Sequence, residues 1–240
     1  MNLEELRRVA AKEELSLNFV AKDEMLSKAL LKLQGHKDLI LKGGTAINRV
    51  YLKNKRFSED IDFDLIFKTT PKQALARTDE IIKTLSEFEL AIPQIMNLTI
   101  RYDLTYTNPG GQKDKIRVEF RVASKAHYFS PRVVNFGYVP MESALLNVYD
   151  LEELIRHKLT CILSRKEGKD LFDLYYLLEL PHTPLGLKKE DKEKLLTALT
   201  LTETEIKQIT KATNNYIPLK LRPTWGMMIK ELKEKIGKEN

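Results

Sequence analysis

The sequence predicts an α+β fold class, in which a half that mixes strands and helices is followed by an all-helical half. Three observations carry that reading. In SEDIDFDLIF (58–67), Ile61, Phe63 and Leu65 alternate with Asp60, Asp62 and Asp64, which is the period of a strand with one oily and one acidic face. LTIRYDLTY (98–106) and KIRVEFRV (115–122) alternate in the same way on either side of the turn-rich NPGGQKD, as a hairpin does. From about Met141 the apolar residues recur near every 3.6 positions and little reads as strand. The expected domains are therefore 1–140 and 141–240, with a boundary good to about five residues.

Two helices open the first half, Leu3–Ala11 and Phe19–Leu33, the second turning Leu26, Ala29, Leu30 and Leu33 inward. Asp38–Leu41 is a short apolar run that ends at Gly43-Gly44, hence a strand entering a tight turn. Thr45 stands at the N-cap position of a helix formed by AINRVYLKN. The acidic-faced strand follows, and then Pro71 starts the amphipathic helix KQALARTDEIIKTLSEF. The hairpin puts Ile116, Val118 and Phe120 on one face and Arg117, Glu119 and Arg121 on the other, and RVVNFGYV after Pro131 reads as one more strand. The second half holds DLEELIRHKLTCILSR, KDLFDLYYLLEL and three Lys/Glu-rich helical stretches near 188–199, 203–213 and 225–236.

Composition narrows the class. A chain of 240 residues with 42% hydrophobic side chains can bury a sizeable core and is not disordered. One cysteine, Cys161, excludes an internal disulfide framework and a Cys-rich zinc site. No apolar run approaches the ~20 residues of a membrane span, and MNLEELRRVAAKEEL is too charged for a signal peptide, so a soluble, cytoplasmic protein without a membrane partner is expected. The net charge of +6 suits a polyanionic partner, although both signs are interspersed along the chain.

The chemistry concentrates in LKGGTAINRVYLKNKRFSEDIDFDL, residues 41–65. Asp60 and Asp62, two apart on a strand, project from one face about 6–7 Å apart, a spacing that can share divalent ions. Gly43 and Gly44 allow backbone N–H groups to approach a phosphate at a helix start, and Thr45 can add a hydroxyl. Glu119 is a third acid on an alternating strand. If that strand neighbours the Asp60–Asp62 strand, three carboxylates converge and repel unless cations are present. Taken alone, a DxD strand is usually a solvated face and a Gly-Gly pair just a turn; it is their order along the chain that points to a nucleotide site.

These residues resemble a known family. GGTA followed by RFSEDIDFD is similar to the first motif of polymerase-beta-like nucleotidyltransferases, and more narrowly to the AbiEii/MenT-type nucleotidyltransferase toxins. His157-Lys158-Leu159, then Ser164-Arg165 and Lys169-Asp170-Leu171-Phe172-Asp173-Leu174, resembles that group's C-terminal motif. The likeness extends over residues ~20–180 and leaves the tail after Pro181 without a counterpart. It implies a polymerase-beta-like domain, a mixed sheet with flanking helices, followed by a helical domain that adds Lys and Asp residues to the site. It further implies that Gly43, Gly44 and Thr45, with Ser58 and Arg165, bind the nucleotide. Asp60 and Asp62 would bind Mg²⁺ or Mn²⁺, Lys158 would contact the phosphates, and Asp170 or Asp173 would complete the site; Glu119 as third metal acid rests on the alternation alone. The implied activity is transfer of NMP from an NTP to an acceptor, expected to be the 3′ end of tRNA, by a toxin with a cognate antitoxin in a toxin–antitoxin or phage-defence system.

On helical spacing, Lys158 and Arg165 share nearly one face, as do Asp170 and Asp173. Lys158 also reads as a snorkelling surface lysine and Asp170 as the N-cap of its helix. Asp173 lies among Leu171, Phe172, Leu174 and Tyr175 and needs a cation or a hydrogen bond, from Arg165 or Lys158. Arg56 suits a phosphate or a site carboxylate equally, and Asp64 continues the acidic face beyond metal reach. His36, His127, His157 and His182 have no metal-ligand spacing; Cys161 reads as an apolar filler, and Tyr175, Tyr176 and Trp225 as core. Alternatives from the same residues are a protein-nucleotidylating enzyme, a metal-dependent nuclease, whose usual Glu-x-Lys is here Glu119-Phe120-Arg121, and a non-catalytic nucleotide-binding protein.

Overall fold

The computed structural model describes residues 1–66, 70–90, 92–139, 142–182 and 184–239. Its chain divides into two compact units, Met1–Tyr149 and Asp150–Asn240.

In the first unit, α1 (Leu3–Glu13) and α2 (Leu17–Leu33) are both capped: Asn2 and Glu5 form a reciprocal capping box, and the Ser16 hydroxyl accepts from the Phe19 N–H. The strands are β1 (Leu39–Lys42), β2 (Asp60–Ile66), β3 (Glu89–Leu90), β4 (Gln94–Met96), β5 (Thr99–Thr107), β6 (Lys113–Ala123), β7 (Phe129–Val134) and β8 (Ala144–Tyr149). They form one mixed sheet in the order β3-β5-β6-β2-β1-β8-β7, with β4 also on β5. β2 runs parallel to β6 and β1 parallel to β8, while β1–β2, β5–β6 and β7–β8 are antiparallel.

One face of this sheet is the core. The register aligns Leu41, Phe63, Phe120 and Ile100 across β1, β2, β6 and β5, all buried, with Phe63 stacked on Phe120 at 5.8 Å. The flanking rows, Leu39–Leu65 and Ile61–Val118–Tyr102, are buried too. α4 (Pro71–Ile82), capped by Thr70, covers this side: Tyr102 shares a 2.9 Å hydrogen bond with Thr78 and donates another to Asp79.

Several expectations shift. The helix after β1 begins at Gly43 itself, as α3 (Gly43–Ala46), and continues as a π-helical turn over Ile47–Tyr51. Thr45 is thus inside the first turn rather than at the cap. Asn48 and Arg49 in the π-helical turn are buried, and Arg49 pairs with Asp23 at 2.7 Å and also donates to Ser27. The strand expected at 132–139 is β7 at Phe129–Val134 and contains Pro131, which is tolerated because β7 is a sheet edge. Phe67 of the expected acidic strand and the expected boundary at 140/141 lie outside the described residues. Ala144–Tyr149, assigned to the helical half by the sequence, is instead β8, buried in alternation through Ala144, Leu146 and Val148 and paired with both β1 and β7. β3 and β4 are too short to carry a readable period.

The second unit is helical: α5 (Leu151–Ser164), α6 (Gly168–Leu177), α7 (Lys189–Ala198), α8 (Glu203–Thr213) and α9 (Trp225–Lys238). α5 packs on α6 and α7, and α9 on α6, α7 and α8, around Ile155, Ile162, Phe172, Leu195 and Leu232. Trp225 is core, its indole N–H donating to Asn214 at 2.8 Å. Cys161, expected to be a buried filler, is only half-buried. Among the described residues no helix is long and apolar enough to cross a membrane.

Candidate active site

The sheet's other face carries the charged residues, and the strand registers set them out as a grid. Side chains paired across neighbouring strands project to the same face. One row reads Asp60, Arg117, Asp103 across β2, β6 and β5. The next reads Lys42, Asp62, Glu119, Arg101 from β1 to β5, and the third Ile40, Asp64, Arg121, Thr99. Asp62 and Glu119 therefore stand side by side, as the alternation required.

The glycine bend closes against this grid. Gly43 has φ +70, a conformation that L side chains rarely adopt, and a Cβ there would stand 2.2 Å from the Asp62 carboxylate. A Cβ on Gly44 would meet the Arg56 guanidinium at 2.6 Å and the Ser58 hydroxyl at 2.8 Å. Gly43, Gly44, Ser58 and Asp62 thus form one half-buried surface patch. Thr45 behaves differently from the expectation: it is fully buried and its hydroxyl donates to the Asp60 carbonyl, latching the bend to β2 instead of facing a ligand. Arg56 is buried and donates to the Phe57 carbonyl at 2.8 Å.

Beneath the patch, Asp64 is fully buried and heavily partnered. Lys42 donates to it, Arg121 forks onto it with Nε at 2.8 Å, and the Tyr149 hydroxyl donates at 2.6 Å. Burial alone would raise this carboxyl, but the Arg121 hydrogen bonds and the Lys42 charge outweigh it and bring the pKa down to about 2. Asp64 is thus an internal counter-ion and no metal ligand.

The three acids do not make a protein cage: among the described residues no group of three His, Cys, Asp or Glu side chains is gathered to hold a metal. Glu119, expected as third ligand, has the Arg117 guanidinium 3.9 Å away, and the same guanidinium is 3.7 Å from Asp60. A second cation, Arg101, is the register partner of Glu119 on β5, while Asp62 flanks it on β2. Asp60 and Asp62 do fit the mode Mg²⁺ favours, in which one or two carboxylates and the substrate's phosphates share the ion. Both are half-buried hard oxygen donors beside the glycine bend.

In the helical unit the second motif also assembles. Lys158, on α5, lies 2.8 Å from both Asp170 and Asp173 of α6, and the Arg165 Nε reaches Asp170 at 3.0 Å. Both aspartates are buried and Lys158 nearly so, which excludes the snorkelling reading. Asp170 is not the N-cap, since Glu167 holds that position and Asp170 falls in the first turn. Arg165 lies just past the end of α5, with extended backbone.

Sequence reasoning missed Lys42, Arg101 and the position of Arg117 among the acids. The signal was present in part: period two on β1 and β5 puts Lys42 and Arg101 on the acidic face once the strand order is known.

Residues 24–238 match the family described as Nucleotidyl transferase AbiEii toxin, Type IV TA system. No curated protein is found that matches the chain. Among solved structures, MenT4, a nucleotidyltransferase toxin of Mycobacterium tuberculosis H37Rv, superposes with a TM-score of 0.62 at 16% identity, covering 100% of this chain and 91% of that one. A candidate nucleotidyltransferase from H. pylori gives a TM-score of 0.56 at 18% identity over 94% of this chain and 99% of that one. At those identities the likeness speaks for the fold, and it is a nucleotidyltransferase fold. With the family match spanning nearly the whole sequence, the chain belongs to the AbiEii nucleotidyltransferase toxins of type IV toxin–antitoxin systems.

Proposed function

We propose that this nucleotidyltransferase moves NMP from an NTP to the 3′ end of tRNA, and that its toxicity follows from blocking that end. The observation that carries the reading is the contact between bend and acid: Gly43, at φ +70, leaves no room for a side chain against Asp62. A triphosphate on the bend is thereby delivered next to the carboxylates. Asp60 and Asp62 would hold Mg²⁺ or Mn²⁺ there. Such an ion supplies charge neutralisation on the leaving pyrophosphate and lowers the pKa of the attacking hydroxyl.

The chain's own residues do the positioning. The Gly43–Gly44 backbone and Ser58 hold the β- and γ-phosphates, which aligns the α-phosphorus with the acceptor. The acceptor oxygen bonds to that phosphorus as its bond to the pyrophosphate oxygen breaks, and the hydroxyl proton passes to solvent. Asp64 keeps Lys42 and Arg121 in place beside the acids, so the field around the phosphates is set before substrate arrives. Lys158, Asp170 and Asp173 are proposed for the same reaction on the family motif alone. The family implies an antitoxin partner.

The test incubates the protein with each α-labelled NTP, total cell RNA and cell extract, with Asp60→Ala as control. Label on tRNA, lost about 10³-fold or more in Asp60→Ala, is the expected result. Label confined to protein would refute the tRNA acceptor, and no label on anything would refute transfer.

A further inference from the structure

Asp60, one of the two acids assigned to the metal, is the first residue of β2, and the ends of elements open most readily. Displacing a reacting group by about 1 Å can cost about 10²-fold in rate, so this end of the strand has to be held. The sheet holds it from one side. There β6 continues, with Arg117 opposite Asp60. On the other side β1 stops at Lys42, opposite Asp62, and the chain leaves the sheet as α3. The β1 ladder therefore ends at Asp62 and does not reach Asp60.

A side chain reaches it instead. The Thr45 hydroxyl, fully buried in the first turn of α3, donates to the Asp60 carbonyl. One turn further along, the buried Asn48 ties the bend to the segment that leads into β2. Its amide nitrogen donates to the Gly44 carbonyl at 3.1 Å, and its amide oxygen accepts from the Arg56 N–H at 3.2 Å. Bend and strand entry are thus joined by two side chains that water does not reach. Burial also keeps the Thr45 hydroxyl from a nucleotide, and the carbonyl it holds belongs to the residue whose carboxylate would carry the ion. Hydrogen-bond partners behind metal ligands orient them, and losing one typically costs about 10–100-fold in metal affinity or activity.

We propose that Thr45 is a positioning residue for nucleotidyl transfer: through the Asp60 carbonyl it fixes that residue's carboxylate relative to the Gly43–Gly44 bend, while Asn48 holds the bend to the same stretch of chain. This rests on the transfer reading above, and it takes Thr45 out of the nucleotide's contacts. Loss of the hydroxyl then leaves phosphate binding on the bend intact and loosens the metal acid.

The test compares wild type with Thr45→Val and Thr45→Ala, which lack the hydroxyl, and Thr45→Ser, which keeps it. Three quantities are read: NTP affinity without divalent metal, Mn²⁺ affinity of the NTP-loaded protein by electron paramagnetic resonance, and the rate of label transfer from saturating α-labelled NTP to total cell RNA and extract. The Val and Ala variants should bind metal-free NTP as wild type does and lose roughly 10–100-fold in both Mn²⁺ affinity and transfer rate. Thr45→Ser should stay close to wild type in all three. Wild-type Mn²⁺ affinity and rate in folded Val or Ala protein would overturn the proposal, as would a loss confined to metal-free NTP affinity, the mark of a nucleotide contact. A Ser variant no better than Ala would overturn it too. So would Val and Ala proteins that circular dichroism shows to be unfolded, since the hydroxyl would then serve stability alone. A wild type that transfers no label defeats the transfer reading and this proposal with it; failure of the proposal alone leaves wild type active and the variants equal to it.

Discussion

Gly43 answers two demands at once, a positive φ and the approach of a carboxylate, and a second glycine separates them. Gly35 also has a positive φ, +87, but nothing lies within 4 Å of where its Cβ would be. Gly35→Ala should therefore cost about 1 kcal/mol of stability from backbone strain and leave NTP affinity alone. Gly43→Ala adds the collision with Asp62, so stability should fall by ~1–3 kcal/mol and NTP affinity should drop at least tenfold. Denaturant melts and an NTP titration of both variants decide the matter; a Gly43→Ala protein that binds NTP like wild type would separate the bend from the site. The importance of Gly43 and Asp62 was legible because each sits in a short, local pattern. The fate of Thr45 was not: it follows from where the helix begins and from a carbonyl fifteen residues away.

β2 is the element on which the first unit turns, because its carboxylates receive side chains from strands distant in sequence. Asp64 draws on Lys42 of β1, Arg121 of β6 and Tyr149 of β8. Folding holds its carboxyl at about 2, below the ordinary 3.8, so the unfolded chain takes up the proton first as pH falls. Its contribution of about 2–3 kcal/mol is complete above pH ~4 and is lost progressively as pH falls through about 2. Denaturant unfolding at a series of pH values should show that acid limb in wild type and a shallower one in Asp64→Asn, which should also be less stable at neutral pH. Identical limbs would show that the cluster contributes nothing through ionisation. None of this could be read from the alternation in SEDIDFDLIF, which gave the face but not the partners. β8 was misassigned for the same reason: its six residues declare themselves as strand only once β1 and β7 flank them. The α5–α6 contact was more legible, since an aspartate among Leu171, Phe172 and Leu174 needs a cation and Lys158 supplies it.

Taken whole, the chain spends its charge unevenly, and the net value of +6 conceals this. Arg117, Arg101 and Lys115 share one face with Asp60, Asp62, Asp103 and Glu119, so both signs are gathered on that face and interleave. The order of the two motifs along the chain announced the family, and the match over residues 24–238 includes the tail in which no motif was recognised. The claim on which the rest depends is that the Asp62 carboxylate, pressed against the bend, takes part in transfer. The direct measurement is the rate at which wild type and Asp62→Ala move label from an α-labelled NTP to tRNA with Mg²⁺ present, alongside circular dichroism of both. Loss of about 10³-fold or more in Asp62→Ala with an unchanged spectrum is the predicted result; transfer at the wild-type rate would contradict it.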